Sequence, residues 1–360
     1  MKKLFTIALL TFLSIVLFAG RKDNDKPVNL IIFIGDGMGV AQVYASMTHS
    51  GFSMTFPAFP VTGFSITYSS DNYITDSAAG ATALSTGEKT NNGMLAVRPD
   101  STEIQTIMEM AKARGMSVGV VCTSPVTHAT PAAFVTHDIS RSDYYDIARD
   151  YLKGVADVFI GGGKDHFTGR RDSVDLTINL LEMGYDVVYT LDELKRSSSS
   201  HIAGLMAGAD MPGISGGRSK EYLVTATSKA IEVLSKNPKG FILMVEGSEI
   251  DYAGHDNNLE GIIEEVLDMD RAVTAAYDYA KASKNTLIVV TADHETGGLS
   301  LTGGDIEEKK VTGSFATKGH TAIMVPVFAY GPGAAAFSGV QQNTELFNDF
   351  VNLLSLRKNR

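Results

Sequence analysis

The sequence predicts an α/β fold with one large central, mostly parallel sheet flanked by helices on both faces. Three observations carry this expectation. Apolar, β-branched runs alternate along the chain with segments of helical periodicity. The apolar runs are continuous, as in strands covered on both faces. Most of them close on Gly, Ser or an acid, and in such sheets ligands bind at the carboxyl ends of the strands.

Taken in order, the chain opens with MKKLFTIALLTFLSIVLFAGRKDNDKP, two lysines followed by an apolar run from Leu4 to Ala19 broken by Thr6, Thr11 and Ser14. This is a secretory pattern and is short for a membrane span. It predicts a signal peptide over residues 1–22, a single catalytic domain over 23–360, and a periplasmic or secreted protein. Bulky Leu17 and Phe18, with Arg21 and Lys22 close behind, make a poor cleavage region, so an uncleaved N-terminal anchor is the alternative. The expected strands are VNLIIFIGDG, SVGVVCTS, DVFIGGG, GFILMVEG, NTLIVVTADH and VPVFAYGPG. The expected helices are TEIQTIMEMAKARG, DSVDLTINLLEMG, KEYLVTATSKAIEVLSKN and LEGIIEEVLDMDRAVTAAYDYAKAS. Residues 196–219, rich in Ser and Gly, read as an ordered excursion or a mobile loop, and no internal repeat is visible.

With 360 residues, 44% of them hydrophobic, the chain can bury a large core. A formal net charge of -10 leaves no basic footprint for nucleic acid. Cys122 is the single cysteine, which excludes an intrachain disulfide and a thiolate metal cluster.

The polar residues gather at strand ends. IIFIGDG delivers Asp36, FILMVEGSEID delivers Glu246 and then Asp251, and LIVVTADHE delivers Asp293 and His294. Asp251 and His255 are four apart and share a side on a helical turn, and His320 sits in a Gly-flanked loop. Each alone reads as a turn, cap or hydrogen-bonded residue; as a set at one end of one sheet they read as ligands. Oxygen and imidazole donors without thiolate suit catalytic zinc, with magnesium at the oxygen-rich position. Four carboxylates in one pocket repel each other unless cations join them. Three divalent ions would leave the site at about +2, matched to a phosphate dianion.

YITDSAAGATALSTG places Asp76 and Ser77 before a run of small residues that reads as the first turns of a helix. An N-cap is the ordinary reading. The other is a serine nucleophile at a helix N-terminus, where free N–H groups and the macrodipole favour an anion. Two similarities are weak: IGDGMGV sets Asp36 between the glycines of an incomplete dinucleotide fingerprint, and STGEKT has the wrong spacing for a phosphate-binding loop.

The stretches GDGMG, TDSAAGATAL, THATPAAFVTH with SR after it, VEGSEIDYAGH, TADHETGG and GH before the last strand stand in one order. In that order they resemble the alkaline phosphatase family over roughly residues 29–332. The resemblance implies an alkaline phosphatase-like fold, a homodimer, and hydrolysis of small phosphate monoesters through a phosphoserine at two zinc ions and one magnesium or other divalent ion. By resemblance, Ser77 matches the nucleophile, and Arg141, thirteen residues after His128, the arginine that holds phosphate. Asp36, Asp293 and His294 match the ligands of the zinc that activates the serine. Asp251, His255 and His320 match those of the second zinc. Thr130 and Glu246, with Asp36 bridging, match the third site, and Asp76 matches the acid that positions the arginine. His128 stands where many bacterial members have Asp, and Tyr252 where a Lys, His or aromatic residue is found, so weak activation by magnesium is expected. The alternatives are a phosphodiesterase or sulfatase-like hydrolase on the same metal core, or a non-catalytic phosphate-binding envelope protein. Ser77, Arg141 and the filled ligand positions weigh against both.

Overall fold

The seven residues NLIIFIG form a strand, β1 (Asn29–Gly35), with every side chain buried, because the run carries no polar residue that needs water beyond its first. A computed structural model describes residues 26–357. The expected signal peptide lies outside them. Among the described residues no helix is long and apolar enough to cross a membrane.

The other strands are β2 (Val61–Ile66), β3 (Ser117–Pro125), β4 (Val158–Gly162), β5 (Asp186–Val188), β6 (Ile202–Leu205), β7 (Phe241–Gly247), β8 (Thr286–Thr291), β9 (Glu295–Thr296), β10 (Leu299–Asp305), β11 (Lys310–Phe315), β12 (His320–Thr321), β13 (Val325–Tyr330) and β14 (Gly339–Gln342). Ten of them make one sheet in the order β14-β2-β13-β8-β1-β7-β3-β4-β6-β5. β1 lies between β7 and β8, parallel to both, with Ile34 opposite Glu246 and Thr291. All pairings from β8 through β5 are parallel, and β13 runs antiparallel to both of its neighbours. The pairs β10–β11 and β9–β12 stand apart as small two-stranded sheets.

Alternate side chains of β1 feed two cores, one on each face of the sheet. Leu30, Ile32 and Ile34 pack with Ala78, Leu84, Phe134 and Phe350. Ile31 and Phe33 pack with Tyr222, Leu223, Val266 and Met269. The helix Leu259–Ser283 covers the second face; the Asn258 side chain caps its start by accepting from the Gly261 N–H.

All six expected strands and all four expected helices form. The segment 196–219 is an ordered excursion in part: Ile202–Leu205 is β6, fully paired between β4 and β5. Its four residues are buried, but only Ile202 and Leu205 are large and apolar, so periodicity does not reveal it. Buried Arg218 then ties the segment to Glu265 and Asp268 of the long helix.

Candidate active site and metal centre

Parallel pairing brings the expected residues to one end of the sheet. Asp36 follows β1, Glu246 is near the end of β7, and Asp293 and His294 follow β8. Asp251 and His255 sit on the short helix Glu249–His255 directly after β7. His320 arrives from far along the chain because β12 pairs with β9, His320 opposite Thr296. The turn after β1 needs glycine: Gly37 has φ +72°, and a Cβ there would lie 2.7 Å from Thr296 Oγ1 and 3.0 Å from Asp251 Cα.

The helix Ser77–Thr86 starts at this end of the sheet and is buried along its whole length. Its small residues let it approach: a Cβ on Gly80 would lie 3.0 Å from the Asp293 carbonyl oxygen. Ser77 Oγ is 3.2 Å from His294 Nε2. The same nitrogen is 3.3 Å from Asp36 Oδ1 and 3.3 Å from Asp293 Oδ2. Asp36, Asp293 and His294 thus offer ligand atoms around one point beside the serine.

Two further groups adjoin it. Asp251, His294 and His320 converge, with His255 Nε2 3.2 Å from Asp251 Oδ2 and 3.3 Å from His320 Nε2. His320 Nδ1 faces the Thr75 carbonyl at 3.0 Å and His255 Nδ1 faces the Lys318 carbonyl at 2.5 Å. Each Nδ1–H donates to its carbonyl, which turns both Nε2 atoms into the group beside Asp251. Asp36, His128 and Glu246 form the third group. The buried oxygens Asp36 Oδ1 and Oδ2, Asp293 Oδ2, Glu246 Oε1 and Thr130 Oγ1, with His128 Nδ1, have no hydrogen-bond partner. Buried polar atoms are satisfied almost without exception. Divalent cations would satisfy these, so the donor set fits metal.

The electrostatics agree. Burial, then the charges of Asp293, Asp251 and Glu246, push the Asp36 carboxyl far up. Burial raises Glu246 to about 7, and burial with the Asp251 charge raises Asp293 to about 6. The hydrogen bond to Asp251 is the main cause that lifts His255 to about 9. His294 is driven down by burial and then by His320. Without cations the carboxylates resist ionisation, and a bound cation would offset that cost.

Asp76 has two tasks. Its Oδ1 accepts from the Ala79 N–H at 3.0 Å, capping the helix, while Oδ2 accepts from Arg141 Nη1 at 2.9 Å and from the Gly93 N–H at 3.0 Å. Arg141 Nη2 also reaches His128 Nε2 at 3.1 Å. Burial, and then the Arg141 charge, lower His128 to about 3, so this nitrogen is an acceptor. The Tyr252 ring meets the His128 ring edge-on, and its hydroxyl donates to Asp210 Oδ1 at 3.0 Å.

The family profile described as Alkaline phosphatase matches residues 27–314. The chain belongs to the alkaline phosphatase family. It is 34% identical to alkaline phosphatase 3 of Bacillus subtilis, over 98% of this chain and 97% of that one. It is 33% identical to the alkaline phosphatase of Escherichia coli, over 93% and 88%. The structure of alkaline phosphatase from the Antarctic bacterium TAB5 superimposes with a TM-score of 0.87 at 37% identity, covering 92% of this chain and 99% of that one. The protein is a phosphatase enzyme of this fold, with groups able to bind metal.

The alkaline phosphatase site also holds residues that sequence reasoning missed. Ser124 Oγ donates to Glu246 Oε2 at 3.1 Å. Thr296 Oγ1 donates to Asp251 Oδ1 and lies 3.3 Å from His294 Nδ1. Asn92 accepts from the Asp76 N–H. Hydroxyls and amides like these occur throughout a chain, and only the folded arrangement selects them. Asp210 lay in the Ser/Gly-rich segment, where nothing nearby signalled chemistry.

Proposed function

We propose that this alkaline phosphatase hydrolyses small phosphate monoesters through a covalent phosphoserine at Ser77. The single observation that carries this reading is the position of Ser77 Oγ: first residue of a buried helix, 3.2 Å from His294 Nε2 and beside unpartnered carboxylates. Arg141, held by Asp76, is suited to grip two non-bridging phosphate oxygens through its planar fork. The helix N-terminus favours the same anion. Ser77 Oγ then attacks phosphorus: the new P–O bond forms as the ester P–O bond breaks, and the alcohol leaves. Water attacks the phosphoserine in a second displacement, releasing inorganic phosphate and restoring the hydroxyl.

Asp36, Asp293 and His294 are proposed to hold one zinc, Asp251, His255 and His320 a second, and Asp36, Thr130 and Glu246 a magnesium or other divalent ion. Such ions supply Lewis acidity that favours ionised oxygen nucleophiles and offsets charge on the entering and leaving oxygens. His128 beside the third group supports a weak magnesium response. Variants of the TAB5 enzyme with a histidine changed to glutamate or aspartate carry Mg in the M3 site, in line with the preference of magnesium for carboxylate oxygen. We further read the protein as an exported homodimer. N-terminal sequencing of the mature protein and sedimentation test those two points.

The experiment is phosphate release from an aryl phosphate by the metal-loaded enzyme beside Ser77→Ala. Release that collapses in the variant is expected. Equal release from both contradicts the proposal.

A further inference from the structure

The segment that carries Arg141 is tied, bond by bond, to the segment that follows the serine's helix. The Arg141 N–H donates to the Gly93 carbonyl at 2.8 Å, and Leu95 and Asp138 exchange N–H···O bonds of 2.8 and 3.0 Å. Residues 93–96 are in turn docked on the helix Ser77–Thr86. Thr82 Oγ1 donates to the Met94 carbonyl at 3.2 Å and accepts from the Ala96 N–H at 2.9 Å. The Gly93 N–H donates to the Asp76 carboxylate oxygen that also grips Arg141.

This docked segment ends on a strained residue. Buried Ala96 has φ +47°, in the left-handed region that L-residues avoid. Such a conformation persists only where the surroundings over-determine it. Thr82 takes the Ala96 N–H, and the Ala96 carbonyl accepts from the Ile104 N–H at 2.9 Å and from His137 Nδ1 at 2.9 Å. His137 is thus the side chain that closes the ladder from the Arg141 side.

Both ring nitrogens of His137 face oxygens that only accept: Nδ1 the Ala96 carbonyl, Nε2 the Glu109 carboxylate at 3.0 Å. A neutral imidazole has one N–H and would turn a lone pair on one of these oxygens. The geometry calls for the imidazolium, with both N–H groups donating. The side chain is 5% exposed, so water does not substitute for either partner. Glu109 on the helix Ile107–Ala113 and Glu103 before it supply negative charge, and Asp150, paired with Lys153, accepts from the His137 backbone N–H at 3.4 Å. Burial works against the charge on His137, but the bonds to Glu109 and Ala96 outweigh it and the net shift is upward. Glu109 is lowered by the same pairing despite its own burial.

We propose that His137, with both ring nitrogens protonated, is a positioning residue for Arg141: by holding the Ala96 turn it fixes the arginine's segment against the serine's helix. The inference rests on the phosphatase reading with phosphate held at Arg141.

The test measures aryl phosphate turnover, and its inhibition by inorganic phosphate, on metal-loaded wild type, His137→Ala, His137→Gln and His137→Asn. The amide nitrogen of asparagine takes the place of histidine Nδ1, and that of glutamine the place of Nε2. His137→Ala and His137→Gln lose the bond to Ala96, so KM and the phosphate Ki are expected to rise together by about fivefold or more, the scale for residues that do not touch the ligand. His137→Asn keeps that bond and is expected to hold both values within about twofold of wild type. If His137→Ala does not fold, the glutamine and asparagine variants, each of which keeps one bond, decide the matter. A purely structural role would lower the folded fraction, and so kcat, without moving KM or Ki. An unchanged Ki in His137→Gln, or an equal rise in His137→Asn, overturns the proposal. The charge is read on wild type by 15N NMR: both His137 nitrogens are expected to be protonated at about pH 7, where an ordinary histidine is mostly neutral, and a neutral ring overturns it too. Wild type that neither turns over the aryl phosphate nor binds phosphate overturns the phosphatase reading itself, and this inference with it.

Discussion

Asp76 Oδ2 accepts from Arg141 Nη1 at 2.9 Å while Asp76 Oδ1 caps the helix that begins with Ser77. One carboxylate thus fixes the distance between the proposed nucleophile and the proposed phosphate arginine. Asp76→Ala is expected to cost about 1 kcal/mol of stability through the lost cap and to weaken phosphate inhibition by about tenfold. Asp76→Asn can still cap but loses the ion pair, so it should keep stability in urea melts and lose phosphate affinity. Equal stability losses in both variants contradict this division of labour.

Gly37→Ala is expected to damage the metal centre. At φ +72° an alanine costs about 1–2 kcal/mol, and its Cβ would press on Thr296 and the backbone of Asp251. Gly184→Ala is the control, since Gly184 has φ +88° with open space around it. Both variants should lower Tm. Only Gly37→Ala should lower bound metal by elemental analysis.

Chelation is expected to destabilise the protein more as pH rises. Asp36, Glu246, Asp293 and His255 all have folded-state values pushed upward, chiefly by burial for the acids and by the Asp251 hydrogen bond for His255. The stability that they contribute is present at low pH and lost as pH rises through the folded values, about 7 for Glu246 and about 9 for His255. His128, lowered to about 3, and His294, also lowered, act oppositely below about pH 6.5, where the unfolded chain takes up their protons. Above about pH 7 those two are neutral in both states, so metal-free protein loses stability from about pH 7 to 9. Cations reverse the penalty on the carboxylates. Thermal melts with and without chelator across that range should show a widening gap; a constant gap contradicts the argument.

Arg218→Ala should be strongly destabilising. It leaves the Glu265 carboxylate buried without its guanidinium and Asp268 with Arg271 alone, a loss of about 3–5 kcal/mol in urea unfolding. It also frees the segment that carries Asp210, the acceptor of the Tyr252 hydroxyl. A loss below about 1 kcal/mol would show that the pair is not the anchor.

The central sheet was legible because its strands carry continuous apolar runs; LIIFI and FILMV have no other stable home. β6 was hidden by its glycine and alanine and by the serines before it. β2 was hidden because, although it pairs with β13 and β14 on its two sides, only two of its six residues are buried and no continuous apolar run marks it. The antiparallel course of β13 is a topological fact that local pattern does not encode. In the site, Asp36, Glu246 and Asp293 stood out as acids at the ends of apolar runs. Thr296 and Ser124 did not, because their roles arise only from β9 facing His320 and β3 lying beside β7.

The most direct measurement is acid quenching of the metal-loaded enzyme during turnover of an aryl phosphate, followed by peptide mass analysis. The account predicts one phosphate on the peptide that contains Ser77, and for Ser77→Ala no such peptide and turnover reduced by more than about a thousandfold. Turnover that persists in Ser77→Ala, or a phosphate carried on another residue, would contradict it.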